Sequence, residues 1–321
     1  MRPVLLWAID PAAVGEADRR RVATLMPGHD LVVGREPGIA AEVADRVDVL
    51  AGWLAPEVVI GLPRLRWYQQ WIAGADWLLA HPEAVERPFV LTSASGVSAH
   101  VVADQVMGFI LAFTRRLPEA WARKRDRRWE GFSLEDFAEL EGKTLLVAGV
   151  GAIGGRVARR AGGFGLRTIG VRRHAERPAE GFDVVGGAAD LLHLVAGADV
   201  IVSALPCTRE TAHMFGRAAF AAARRGALFV SVGRGKVVDE AALVAALTDG
   251  RLAGAALDVY EEEPLPAASP LWDLPGVILT QHWGAAFPGR FARTVELLCE
   301  NLTRDAAGRP LRNLVDKAAG Y

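Results

Sequence analysis

Short apolar runs recur along this chain, each closed by turn residues and separated by stretches with a helical repeat. Val4 to Ile9, ended by Asp10-Pro11, reads as a strand, and Glu16 to Met26 as a helix. Further strands are expected at Asp30 to Gly34, Val47 to Trp53, Leu65 to Gln70 and Phe89 to Thr92, with a short helix or turn from Pro56 to Ile60. From Ala99 to about Leu117 the apolar positions Val102, Val106, Phe109, Ile110 and Phe113 follow helical spacing, and a more polar helix is expected from Pro118 to Arg128. Alternation then resumes. Strands are expected at Leu145 to Ala148, Arg167 to Arg172, Asp199 to Leu205, Ala227 to Val232, Ala255 to Val259 and Val277 to Thr280. Helices fall at Asp190 to Ala196, Ala218 to Arg225 and Asp239 to Thr248, and a long amphipathic one runs from Phe287 to about Leu302. Strands that alternate with helices predict α/β units with parallel sheets.

One stretch organises the rest. The strand ending at Ala148 runs into Gly149-x-Gly151-x-x-Gly154 and then a helix-compatible segment. In that context the glycines form a dinucleotide-binding turn: Gly149 for the tight turn, Gly151 for close backbone approach to a pyrophosphate, Gly154 for helix–strand packing. The amides near Ala152 and Ile153 then face the phosphates from the positive end of the helix. At the end of the next strand stand Arg172 and Arg173, where an NAD-binding chain usually carries an acidic residue for the ribose hydroxyl. Two planar cations there suit a 2′-phosphate, so NADP(H) is favoured over NAD(H).

Composition narrows the reading. The 321 residues suffice for two domains, and 51% hydrophobic with 23% charged residues is an ordinary globular balance. A net charge of -1 gives no reason to expect nucleic acid, and no apolar run reaches membrane-spanning length. Cys207 and Cys299 are too few for a disulfide scaffold, so a cytoplasmic location is expected. The basic cluster Arg123 to Arg128 reads as a solvated helix face, a domain-joining surface or part of a ligand cleft.

Three ionisable residues follow predicted strands: Arg234, Glu263 and His282. Ligands of open parallel sheets bind outside the carboxyl ends of the strands. An arginine there can hold a 2-keto acid by its carboxylate or carbonyl oxygen, and a histidine can supply the proton when the carbonyl becomes an alcohol. A carboxylate beside the imidazole would orient it and favour its charged form. Asp258, at the end of its strand, can accept from a nicotinamide carboxamide or cap a turn. His100, His193 and His213 have no obvious partner and read as structural. No spacing suits a zinc site, so no metal is expected, and Gly96 lacks the surroundings of a hydrolase nucleophile.

With these residues in view, the chain resembles the D-isomer-specific 2-hydroxyacid dehydrogenases, in particular the glyoxylate/hydroxypyruvate reductase-like branch. The resemblance covers essentially the whole chain and is densest over Val147 to Gly154, Leu228 to Glu240, Gly254 to Pro266 and Val277 to Gly284. It implies a Rossmann-type parallel sheet inserted into a second, smaller flavodoxin-like α/β domain. The substrate-binding domain would comprise residues 1–98 and 286–321, and the nicotinamide dinucleotide-binding domain with its connecting helices 99–285. It also implies a cleft between the domains and a homodimer formed through the inserted domain. Position by position, the family's catalytic Arg, Glu and His fall on Arg234, Glu263 and His282. Gly74 and Ala75 match backbone amides that face the substrate carboxylate. Leu205, Pro206 and Thr211 match the loop beside the riboses, Asp258 the carboxamide acceptor, and Arg172-Arg173 the basic pair of NADPH-preferring members. Departures are Gln281 in place of the usual proline before the histidine, the bulky Trp283 after it, and the segment Gly96-Val-Ser98.

The expected activity is reduction of a small 2-keto acid, glyoxylate or hydroxypyruvate, to its 2-hydroxy acid with NADPH. A dehydrogenase for a larger 2-hydroxy acid or another carboxylate is the alternative within enzymes. A redox-poor NAD(P)-binding regulatory protein on the same scaffold is the alternative outside them.

Overall fold

The computed structural model describes residues 1–177 and 179–321, which divide into two compact units, Met1–Val97 with Phe287–Tyr321, and Ser98–Ala286. The first begins β1 (Val4–Ala8), α1 (Glu16–Leu25), β2 (Asp30–Val33), α2 (Pro37–Val43), β3 (Val47–Gly52), α3 (Pro56–Gly61), β4 (Trp67–Gln70), α4 (Glu83–Glu86) and β5 (Val90–Thr92). Its five strands are all parallel in the order β2-β1-β3-β4-β5, the flavodoxin-like arrangement. Strand periodicity of two sends Leu6, Leu50, Tyr68 and Leu91 to one face, beneath Ala40 of α2 and Val59 of α3. Leu5, Trp7, Val49 and Trp67 go to the other face, against Val22 of α1.

The second unit opens with α5 (Ala99–Thr114) and α6 (Leu117–Arg125) and continues through β6 (Thr144–Ala148), α7 (Ala152–Gly162), β7 (Arg167–Val171), β8 (Val184–Gly186), α8 (Leu191–Ala196) and β9 (Val200–Ser203). It closes with α9 (Arg217–Ala222), β10 (Ala227–Ser231), α10 (Glu240–Thr248), β11 (Leu252–Leu257) and β12 (Val277–Leu279). The sheet is parallel throughout, in the order β12-β11-β10-β9-β6-β7-β8. Both faces are covered, so its strands read as near-continuous apolar runs. Leu145, Val147, Val202 and Val230 pack under Val106 and Ile110 of α5 and Val157 of α7. Leu146, Ile201 and Phe229 pack under Val195 of α8, Phe220 of α9 and Leu243 of α10.

The chain then returns to the first unit through α11 (Arg290–Ala306), whose Val295, Leu298 and Leu302 join Trp7 and Trp67. Three elements lie outside the periodicity reading, among them the single-turn α4, too short to show a repeat. In α2 a Pro-Gly start masks the helix, and β8 is a three-residue edge strand too short to show a period. The polar helix expected to reach Arg128 stops at Arg125. Among the described residues, no helix is long and apolar enough to cross a membrane.

Candidate active site

The strand order of the larger sheet reverses at β6, with β7 and β8 on one side and β9 to β12 on the other. Ligand sites of such sheets lie at this switch, beyond the carboxyl ends of the strands. Gly149 occupies the turn after β6 at φ +107°, and a Cβ there would lie 2.6 Å from the Ala204 carbonyl oxygen. A side chain at Gly154 would lie 2.1 Å from the Gly149 carbonyl oxygen, so α7 starts against the turn itself. Gly151 faces open space. The start of α7 has no side-chain cap and no acidic residue in its first turn. Amides left without an intrahelical acceptor, at the positive end of an eleven-residue helix, suit a diphosphate.

Around this turn lie the other expected cofactor residues. Arg172 and Arg173 follow β7; the Arg172 amide donates to the Gly186 carbonyl at 3.1 Å, and the Arg173 guanidinium pairs with Glu210. Leu205 and Pro206 follow β9, and the Thr211 hydroxyl donates to the Pro206 carbonyl at 2.6 Å, closing the loop.

Strands β10, β11 and β12 are neighbours, with Ser231 beside Leu257 and Leu257 beside Leu279 at their ends. Arg234 and His282 each stand three residues beyond these ends, and Glu263 six beyond its own. All three therefore follow the carboxyl ends of adjacent strands. The His282 Nδ1 lies 2.7 Å from Glu263 Oε2, while Glu263 Oε1 accepts from the Tyr260 amide at 3.0 Å. A carboxylate at Nδ1 makes that nitrogen the donor and leaves Nε2 as the other functional end of the ring. The two side chains remain partly exposed, 45% and 37%. The Arg234 guanidinium is half-buried and donates to the Gly233 carbonyl at 2.8 Å.

Asp258 is 3% exposed and accepts from the Gln105 amide at 3.1 Å, the Thr280 hydroxyl at 2.6 Å and the backbone amides of Trp283 at 3.2 Å and Gly284 at 3.0 Å. Gln105 lies in no motif, and Thr280, although within the Val277–Gly284 stretch, has no role that the sequence pattern assigns. Gln105 precedes its partner by more than 150 residues. The Tyr260 hydroxyl lies 2.8 Å from the Thr280 carbonyl, and burial, with the Asp258 charge second, pushes its pKa up to about 12. His213 corrects the expectation that it lacks a partner: its Nε2 meets Glu261 at 2.7 Å. Burial also raises Glu240, whose neighbours Glu261, Glu262 and Glu263 add like charge.

In the first unit, Gly74 and Ala75 lie in the loop after β4. The Gln70 side-chain amide donates to the carbonyls of Ile72 at 3.1 Å and Gly74 at 2.6 Å, fixing that loop. Among the described residues, no group of three or more His, Cys, Asp or Glu is placed to hold a metal.

Residues 107–284 match the model of the D-isomer specific 2-hydroxyacid dehydrogenase NAD binding domain. The glyoxylate reductase of Korarchaeum cryptofilum is 34% identical over 283 residues, 84% of this chain and 82% of that one. The chain belongs to the D-isomer specific 2-hydroxyacid dehydrogenase family. Solved members of the family share its fold from end to end. The dehydrogenase from Xanthobacter autotrophicus, crystallised with NADPH and MES, has TM-score 0.84 and 28% identity, with all of both chains covered. The NADPH-dependent glyoxylate/hydroxypyruvate reductase of Sinorhizobium meliloti, bound to NADP and sulfate, has TM-score 0.82 and 28% identity, again with full coverage.

Proposed function

We propose that this dehydrogenase-family enzyme reduces a small 2-keto acid, glyoxylate or hydroxypyruvate, to the 2-hydroxy acid with NADPH. The observation that carries this reading is the His282–Glu263 pair at 2.7 Å at the carboxyl end of the sheet, where Arg234 also follows its strand. When bound, the cofactor supplies a hydride from nicotinamide C4 to the C2 carbonyl carbon. Arg234 binds the substrate by its carboxylate and polarises the carbonyl. His282 passes the Nε2 proton to the carbonyl oxygen as it becomes an alcohol, and Glu263 holds the imidazole in the required tautomer and stabilises its charge before transfer. The products are the 2-hydroxy acid and the oxidised dinucleotide.

The turn at Gly149 to Gly154, with the Ala152 and Ile153 amides, would hold the diphosphate. Leu205, Pro206 and Thr211 would flank the riboses. Arg172 and Arg173 would grip the 2′-phosphate, with Glu210 as the carboxylate that Arg173 exchanges for it. Asp258, under the same reading, adjoins the carboxamide. The names of the curated and solved relatives support both the substrate class and NADPH. We assign residues 1–98 and 286–321 to substrate binding and 99–285 to the dinucleotide, in a cytoplasmic homodimer. Cell fractionation checks the location, and recovery with membranes would refute it.

The direct test follows reduced-nicotinamide absorbance with NADPH and NADH against glyoxylate, hydroxypyruvate, pyruvate and phenylpyruvate. NADPH with a small keto acid should be fastest. His282→Asn should lower kcat on the order of 10²- to 10⁴-fold while sparing NADPH affinity. Nucleotide binding without turnover of any keto acid would refute the reductase reading.

A further inference from the structure

His282 adopts φ +53°, a left-handed conformation that costs a residue with a Cβ about 1 kcal/mol or more. Gln281 precedes it, so no proline ring fixes the approach. The restraint lies on either side. The amides of Trp283 and Gly284, immediately after His282, both donate to the Asp258 carboxylate. Thr280, two residues before, donates its hydroxyl to the same carboxylate at 2.6 Å. The Gln105 amide completes the arrangement, reaching Asp258 at 3.1 Å and the Thr280 hydroxyl at 3.0 Å from α5. The packing leaves no slack: a Cβ on Gly284 would lie 2.7 Å from Asp258 Oδ2 and 2.9 Å from Gln105 Oε1.

We propose that Gln105, Thr280 and Asp258 form a clamp that presets the left-handed backbone of His282, with Gln105 and Thr280 acting as positioning residues for proton transfer. Asp258 has a small, buried carboxylate and must serve three elements at once. It ends β11, anchors the chain after β12, and receives α5 through Gln105. Without the Gln105 and Thr280 donors the carboxylate loses its side-chain partners, and residues 280–284 can relax toward a conformation in which His282 leaves the left-handed region. The imidazole then samples geometries away from the transferring proton. This inference rests on His282 being the proton donor.

The test uses the full-length enzyme, with kcat expressed per NADPH-binding site so that only native molecules count. Gln105→Met removes the donor at nearly constant volume; Thr280→Val removes the hydroxyl at constant shape; Thr280→Ser keeps it. Gln105→Met and Thr280→Val should each lower kcat about ten- to a hundred-fold with glyoxylate, with NADPH Kd held within about twofold and a larger solvent isotope effect on kcat, because misplacement by an ångström costs rate more than binding. Thr280→Ser should stay within about threefold of the parent, since it retains the donor. Unchanged kcat in native Gln105→Met and Thr280→Val, or an equal loss in Thr280→Ser, overturns the clamp. His282→Asn separates the two readings. If it abolishes turnover while the clamp variants keep theirs, only the clamp falls; if it keeps full turnover, the donor assignment falls and takes the clamp with it.

Discussion

Glu240 shows how a single carboxylate near this site carries a cost of its own. It is half-buried at the start of α10, its Oε1 accepts from the Glu261 amide at 2.7 Å, and desolvation followed by the charges of Glu261, Glu262 and Glu263 raises its pKa. Because the folded value exceeds the unfolded one, the unfolded chain releases this proton first as pH rises. The destabilisation is absent below the ordinary carboxylate range, grows through the interval between the two values, and is complete above the folded one. Glu240→Gln keeps an oxygen for the Glu261 amide and removes the charge. Thermal melts should show a higher Tm than the parent at neutral pH, with the gain vanishing in acid. A lower Tm at neutral pH would contradict this. At the same scale, Arg234, Glu263 and His282 were legible because each is a costly ionisable group just past an apolar strand. The partners of Asp258 and His213 were not, since Gln105 and Glu261 reach them across the fold rather than along the chain.

Among the elements, α11 depends on a buried polar seam as much as on its apolar stripe. Asn301 is fully buried; its amide donates to Gln69 Oε1 at 2.9 Å and to the Arg312 carbonyl at 3.2 Å, and its oxygen accepts from the Arg312 amide at 2.7 Å. Gln69 also accepts from Thr92 at 2.8 Å, and Thr92 accepts from the Trp67 indole at 2.9 Å. This network joins α11 to β4, β5 and the chain after the helix. Asn301→Ala strands donors and acceptors in the interior and should cost on the order of 3 kcal/mol in urea unfolding, with no change in NADPH affinity. A loss below about 0.5 kcal/mol would show that the seam is not a stabilising unit. The amphipathic pattern predicts this helix well, but Gln69, Thr92 and Asn301 read as ordinary polar residues until folding brings them together.

For the whole molecule, the proposed homodimer has support in apolar surface outside the core. Trp121 is 64% exposed, Trp129 104% and Leu134 86%, along α6 and the segment after it. Exposed apolar side chains concentrated on one stretch fit a protein–protein surface. Within the neighbouring basic cluster, Arg128 pairs with Asp126 and Glu130, and Arg123 lies over the Phe132 ring at 3.6 Å. Sedimentation should give a dimer, and Trp121→Glu with Trp129→Glu should shift it to monomer without loss of native circular dichroism. A monomeric parent would refute the assignment.

What is local and periodic in this fold can be read from residue order. Apolar runs of strand length alternating with helical repeats specify parallel α/β units, and the glycine spacing after one run specifies the dinucleotide turn, because both follow from backbone geometry over a few residues. Tertiary structure alone decided what depends on distant segments meeting. It brought β10, β11 and β12 side by side so that Arg234, Glu263 and His282 follow the ends of neighbouring strands, joined Asn301 to Gln69, and set Gln105 against Asp258. Such contacts depend on strand order and helix packing, which a one-dimensional pattern does not encode.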